Sequence, residues 1–128
     1  MFEDRNLRAV LDALPVDITF IDNHDTVRYF NQPDRGRIFP RSETVIGKKV
    51  QDCHPQNSIE KVNAVLKDLR SGRRGSARFW INLKGRTIYI RYFPVRRDGQ
   101  YMGCLEVSQD ITEMRKIKGE KRLYDEPG

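Results

Sequence analysis

Two residues with reactive side chains stand together in the stretch Asp52-Cys53-His54-Pro55-Gln56-Asn57. A cysteine thiolate is a nucleophile and a metal ligand, and a histidine is a proton shuttle or a ligand. A nucleophilic Cys53 needs a base within hydrogen-bond reach and an environment that lowers its pKa. The start of the following helix would favour a thiolate. However, His54 is its direct neighbour, and adjacent side chains commonly diverge. No second histidine and no paired carboxylates lie nearby, so the chain is expected not to be an enzyme. One axial ligand suffices for haem, so either residue could supply it. The structural alternative is helix entry: Pro55 cannot continue a preceding helix, Asn57 caps the next, His54 bonds a loop carbonyl and Cys53 is a small apolar filler. Both readings stand on sequence alone. The other pair, His24 and Cys104, adds little, since two cysteines and two histidines are too few for a zinc site or a disulfide framework.

The elements that must position these residues follow from periodicity. Apolar residues at Phe2, Leu7, Val10, Leu11 and Leu14 share one helical face, ended by Pro15. So short a helix must lie on the domain or on a partner chain. Ile18 to Asp22 and Thr26 to Phe30 read as a hairpin with His24 in its turn. Pro33, Gly36, Pro40 and Gly47 break the next stretch into loops and short turns, with Ile38, Phe39, Val45, Ile46 and Val50 facing something apolar. Asn57 and Glu60 form a capping-box pattern for a helix striped by Ile59, Val62, Val65, Leu66 and Leu69 and stopped at Gly72.

Three β-rich runs follow. A two-residue turn at Lys84-Gly85 sets Ile81 against Ile88 and Phe79 against Ile90. Phe79, Ile81, Ile88, Ile90 and Tyr92 then share one face, and Trp80, Tyr89, Arg91 and Phe93 the other, which implies cover on both sides. The last strand, Tyr101 to Gln109, carries Glu106 on a face that depends on register. Two loop residues at Asp98-Gly99 turn Leu105 and Val107 inward, and one extra residue turns Cys104, Glu106 and Ser108 inward. A buried Glu106 needs a partner, with Arg91 or Arg78 as candidates. A charged helix is expected from Asp110 onward. The order gives an α+β fold, an antiparallel sheet with helices gathered on one face.

The chain of 128 residues is the size of one domain, with 33% charged and 38% apolar residues as a wet-surfaced globule requires. The net charge of +6 raises nucleic-acid binding, but the basic residues are dispersed. The one dense run, near residues 115–122, is interleaved with Glu113 and Glu120 and reads as a solvated face. No apolar run approaches the roughly 20 residues of a membrane span. No nucleic-acid or membrane partner is therefore expected, and a cytoplasmic location is.

Several strings in this order resemble a PAS domain. They are Val27-Arg28-Tyr29-Phe30-Asn31, Val45-Ile46-Gly47-Lys48-Lys49-Val50, His54-Pro55, the turn from Pro94 to Gly99, and Asp110-Ile111-Thr112. Leu14 to Phe20, Cys53-His54-Pro55, Phe79-Trp80-Ile81, Ile90 to Phe93 and Leu105 to Asp110 are similar to one subgroup, the C-terminal PAS domains of proteins that also carry a hemerythrin-like di-iron domain. The His- and Glu-rich helices of that domain have no counterpart here. The chain is thus expected to stand alone or to be an excised piece, and no di-iron chemistry carries over.

The resemblance implies a five-stranded sheet wrapping a small cavity, with N- and C-terminal flanking helices. It implies residues 1–14 as a flanking amphipathic helix, 15–112 as the core and 113–128 as a helical extension and tail. A ligand would sit among Phe39, Val50, His54, Ile59, Val62, Phe79, Ile81, Ile88, Ile90 and Tyr92. A homodimer would form through Leu7, Val10, Leu11, Trp80, Tyr89 and Phe93, and a signalling domain or protein would be a further partner. Some PAS domains bind haem through a histidine, usually inside the long helix, and Ile59 to Leu69 holds none. The alternatives are a haem or redox sensor using His54 or Cys53, and a dimerisation module without ligand. The reactive-cysteine motif of flavin-binding light sensors is absent.

Overall fold

The computed structural model describes residues 2–125. Helix α1 (Arg5–Asp12) precedes strands β1 (Asp17–Asp22) and β2 (Val27–Phe30). Short 3-10 turns at Glu43–Val45, Val50–Cys53 and Gln56–Ser58 lead into α2 (Ile59–Ser71). Strands β3 (Ala77–Leu83), β4 (Arg86–Arg97) and β5 (Gln100–Asp110) complete one antiparallel sheet in the order β2-β1-β5-β4-β3. This is the expected α+β architecture. The short turns and α2 lie on the inner face, and α1 lies on the outer face.

Each boundary has a local cause. Asp4 caps α1 by accepting hydrogen bonds from the Asn6 and Leu7 amides at 2.8 and 3.1 Å. The helix is therefore shorter than the Phe2 to Leu14 stripe. Phe2 packs from outside it, stacked on Tyr29 with ring centroids 4.5 Å apart. The expected Asn57 cap of α2 does not form: a 3-10 turn occupies Gln56–Ser58, and the residue before the helix, Ser58, makes no side-chain cap. The helix does stop at Gly72.

The sheet is buried most completely at its centre. On β1, Asp17, Thr19 and Ile21 face inward, while Ile18 and Phe20 face outward under α1 with Tyr29, Leu11, Leu105 and Val107. Ile21, Val27, Val50, Leu66, Leu69 and Cys104 form the inner core. Cover fails at the β3 edge, where Phe79, Trp80 and Ile81 are 43%, 69% and 41% exposed. Within this single chain, then, the β3 edge lacks the cover expected on both faces, while α1 packs over the outer cluster of Ile18, Phe20 and Tyr29.

The register of β3 on β4 is as expected, with Ile81 opposite Ile88 and Phe79 opposite Ile90. In β5 the register has a second determinant. Arg97 pairs with Gln100 across the Asp98-Gly99 turn, but Arg96 pairs with Tyr101 and Val95 with Gly103. Met102 is thus an extra residue, a bulge that reverses the parity of everything after it. Tyr92 then faces Glu106, and Cys104, Glu106 and Ser108 point inward. Gly103 sits at φ +154, where a Cβ would fall 2.0 Å from the Ile21 carbonyl oxygen. Only a residue without a side chain lets β5 approach β1 this closely.

A buried polar knot ties the first third of the chain together. Asn31 is fully buried; its Oδ1 accepts from the Ile18 amide at 2.8 Å, and its Nδ2 donates to the Leu11 and Val16 carbonyls at 3.1 and 2.9 Å. Arg37, its side chain 3% exposed, donates to the Asn31 and Ile18 carbonyls and lies 3.7 Å from Asp17. Asp17 accepts the amides of Ile38 and Phe39 at 3.1 and 3.0 Å.

Among the described residues no continuous C-terminal α-helix forms, which corrects the sequence expectation. Strand β5 runs to Asp110, and beyond it the described residues hold only the 3-10 turns Met114–Lys116 and Leu123–Asp125. The cause is the lack of a surface to bury. Ile117 and Leu123 are 74% and 91% exposed, and Gly119 takes a left-handed conformation that breaks the helix. Residues 126–128 of the expected extension lie outside the described residues. Asp110 closes the strand by accepting from Arg86 Nε at 2.8 Å and from the Thr112 amide and hydroxyl at 3.0 and 2.6 Å.

Asn31→Ala leaves the buried Ile18 amide and the Val16 carbonyl without the partners Asn31 gives them, while the Leu11 carbonyl keeps the Leu14 amide, and is expected to cost about 2 kcal/mol or more in urea unfolding; a loss below about 1 kcal/mol would contradict the role given to the knot. Gly103→Ala is expected to cost more than about 3 kcal/mol, since the clash is with backbone. The Arg86 guanidinium holds the Asp110 carboxyl at about 2, assisted by Thr112. The stability this adds is present above the unfolded value of about 3.9 and is lost as pH falls through about 2. Carboxyl NMR titration should place the midpoint there, and Arg86→Met should move it upward.

Candidate functional site

The helix α2 does not lie flat on the whole inner face. It packs over Ile21 and Cys104 and the Tyr92 end of β4, and between these surfaces is a cavity of about 220 Å³. Its apolar walls are Ile21, Val50, Val62, Val65, Leu66 and Phe79. Its polar groups are His54, Ser58, Lys61, Tyr92 and Glu106. A larger depression of about 940 Å³ lies on the outer side between α1 and the β4–β5 turn, but it is an open groove lined largely by charged residues such as Glu3, Arg8, Asp22, Arg28, Arg97 and Asp98.

Alternation explains which expected residues reach the cavity. Val50, His54, Val62, Phe79 and Tyr92 line it; Phe39, Ile59, Ile81, Ile88 and Ile90 do not. Inward residues on β4 are spaced by two positions, roughly 7 Å apart, so Ile90 and Ile88 step progressively away from α2. Ile88 is nonetheless buried, at 2% exposure, whereas its partner Ile81 is largely open. Ile38 and Phe39 are drawn by their amides onto Asp17 instead of onto α2. Ile59 is half-buried at the first position of the helix.

Glu106 is the feature that sequence left open. The Met102 bulge turns it inward, and its partner is neither Arg91 nor Arg78. Arg41, from the loop after β2, donates to its Oε1 at 3.1 Å, with the two side chains 15% and 13% exposed. Arg91 lies on the outer face, its guanidinium over the rings of Tyr89 and Phe93 at 5.0 and 5.7 Å. Burial raises the Tyr92 phenol well above its ordinary range, and the adjacent Glu106 charge adds to this. Burial likewise pushes the Cys104 thiol up to about 12, again with Glu106 assisting. Cys104 is therefore an inert core thiol. No periodicity could pair Arg41 with Glu106, which are 65 residues apart; the only available signal was that an inward carboxylate requires a cation.

The Cys53-His54 pair divides as adjacent side chains do. Cys53 is half-buried against the inner core, its Sγ 3.7 Å from the Lys49 carbonyl oxygen. His54 Nδ1 lies 2.9 Å from the Val50 carbonyl oxygen, pinning the 3-10 turn that precedes it. Among the described residues no group of three or more His, Cys, Asp or Glu side chains is placed to hold a metal ion. The cavity is smaller than the about 300–1,000 Å³ of ordinary ligand pockets. A haem macrocycle does not fit it with α2 in this position.

Of the residues expected at a dimer contact, Leu11 packs within the chain on the outer cluster. Leu7 and Val10 are 41% and 63% exposed, and Trp80 stands beside Tyr89 with ring centroids 6.5 Å apart. Among the described residues no helix is long and apolar enough to cross a membrane.

This geometry has counterparts in known proteins. The crystal structure of a C-terminal domain from Streptococcus mutans is 32% identical, with a TM-score of 0.80 over 88% of this chain and 87% of that one. A sensory box sensor histidine kinase from Vibrio cholerae matches at 16% identity and a TM-score of 0.60, over 84% of this chain and 90% of that one. In sequence, the chain is 21% identical over 112 residues to a probable C4-dicarboxylate sensor kinase from Halalkalibacterium halodurans. The match takes in 88% of this chain but only 20% of the length of that curated relative. A family model described as a PAS domain matches residues 7–112. With that match spanning the sheet, α2 and most of α1, the chain belongs to the PAS domain family.

Proposed function

We propose that this PAS domain is a sensing and signalling module without catalytic activity, which takes a small ligand in the cavity beneath α2. The observation that carries the reading is Glu106. A carboxylate turned into a largely apolar cavity carries a desolvation cost that only partners offset, and this one is held by the loop residue Arg41 and by Tyr92 beside it. The sensor-kinase names of its relatives support the signalling role, with a kinase or comparable effector as partner. Within the family we place the chain nearest to the PAS domains that accompany hemerythrin-like domains, and in the cytoplasm.

The route from cavity to output runs through the ends of the fold. Ligand contact with Glu106 bears on Arg41 and hence on the loop that Asp17 and Arg37 fasten to β1. Asn31 joins the same knot to the end of α1 through the Leu11 carbonyl. A ligand that favours one setting of this loop shifts the population of α1 positions by its differential affinity for them.

Exposed apolar residues favour a second element, a homodimer. Leu7 and Val10 of one copy would cover Trp80, Tyr89 and Phe93 of the other, removing an aromatic patch from water. Sedimentation velocity across a dilution series should show monomer–dimer exchange, and Val10→Asp and Trp80→Asp should each shift it to monomer. Native mass spectrometry and an absorbance spectrum of freshly purified protein test the cavity. A small adduct released on denaturation is expected. A Soret band abolished by His54→Ala would replace this reading with a haem sensor, and a monomer at every concentration would remove the dimer.

A further inference from the structure

The polar groups around the cavity are unbalanced between donors and acceptors. The Val50 carbonyl can only accept, so His54 Nδ1 carries a proton, and in the neutral ring Nε2 is left as an acceptor. Ser58 Oγ donates its one proton to the Pro55 carbonyl at 3.0 Å and keeps only lone pairs. Glu106 accepts from Arg41 through Oε1, leaving Oε2 as a further acceptor. Tyr92 has a single O–H, which is already directed at that same carboxylate and leaves the phenol oxygen only lone pairs for a ligand. Lys61 is the one obligate donor on the wall, and it is exposed to solvent. The cavity therefore asks its occupant for donors.

Charge narrows the class. Glu106 is already paired with Arg41, and Lys61 adds a second cation, so an ammonium ligand would enter beside two positive groups. An anion would face the Glu106 carboxylate with few donors to receive it. Size narrows it again, since 220 Å³ is the share of about seven liquid waters at about 30 Å³ each.

We propose that the cavity binds an uncharged molecule of single-ring size, its apolar body against Val62, Leu66 and Phe79 and an O–H or N–H donor turned to Glu106 and His54. This rests on the reading of the cavity as a ligand site, and the test separates the two. Toluene, benzyl alcohol, benzoate and benzylammonium share one body and differ in the end group. Each is titrated into the intact chain while amide and methyl resonances are followed by NMR. Benzyl alcohol should bind about tenfold or more tighter than each of the other three, with shifts at Val50, Val62 and Phe79. Glu106→Gln and His54→Leu should each weaken the alcohol without weakening toluene. Because Glu106→Gln also unpairs Arg41, His54→Leu keeps the test valid if the first variant does not fold. Tightest binding by toluene or by either charged probe overturns the donor assignment and leaves the cavity reading standing. Failure of all four to shift the cavity resonances overturns both.

Discussion

The fold depends first on the buried knot of Asn31, Arg37 and Asp17. These three side chains satisfy groups from α1, the linker after it, β1 and the loop after β2 at one place. Each of those segments is too short to hold itself. An eight-residue helix is marginal alone, and the loop from Asn31 to Lys49 holds one 3-10 turn. The knot pairs several backbone groups that burial would otherwise leave unsatisfied, where a missing partner is costly. It also determines where Arg41 starts, four residues beyond Arg37. The ion pair at the cavity is thus an extension of the structural network.

The two faces of the sheet are stabilised in different ways. The outer face is closed by α1 together with Phe2, which precedes the helix and packs on Tyr29 and Phe20. The inner face is closed by α2, whose C-terminal carbonyls at Leu69 and Arg70 receive Arg96 at 3.0 and 3.1 Å. Arg70 in turn reaches Asp25 at 2.8 Å. One end of α2 is thereby clamped to the β1–β2 turn and to β4. The other end enters through a 3-10 turn without a side-chain cap. That is the end at which His54 and Ser58 border the cavity, so the less secured end of the helix is the one a ligand meets.

Much of this was legible in the sequence, for reasons that can be named. The β3–β4 register followed from a two-residue turn and period-two alternation. The stripe Val62, Val65, Leu66 and Leu69 gave the inner face of α2. What was not legible depended on long separation or on single-residue irregularity. Arg41 meets Glu106 across 65 residues. Ile59, Ile81, Ile88 and Ile90 have the right faces, but where α2 ends above the sheet is decided by tertiary packing. The charged C-terminal segment had helical composition but no apolar stripe, and composition alone does not make a helix. Of the two readings sequence left open for His54, the bond to a loop carbonyl forms, at Val50, because that is what a histidine before a helix-entry proline can reach, and the ring also borders the cavity.

The bulge at Met102 has a consequence for how such a domain changes over time. Whether β5 turns a carboxylate or aliphatic side chains toward the cavity is decided by one residue of length in the hairpin. Removing that residue would present Leu105 and Val107 inward without altering either of them. The polarity of the pocket is thus recorded as a count, not as an identity. A single codon gained or lost outside the pocket's lining could remove its one carboxylate at once, an inheritance route that comparing residues column by column would not register.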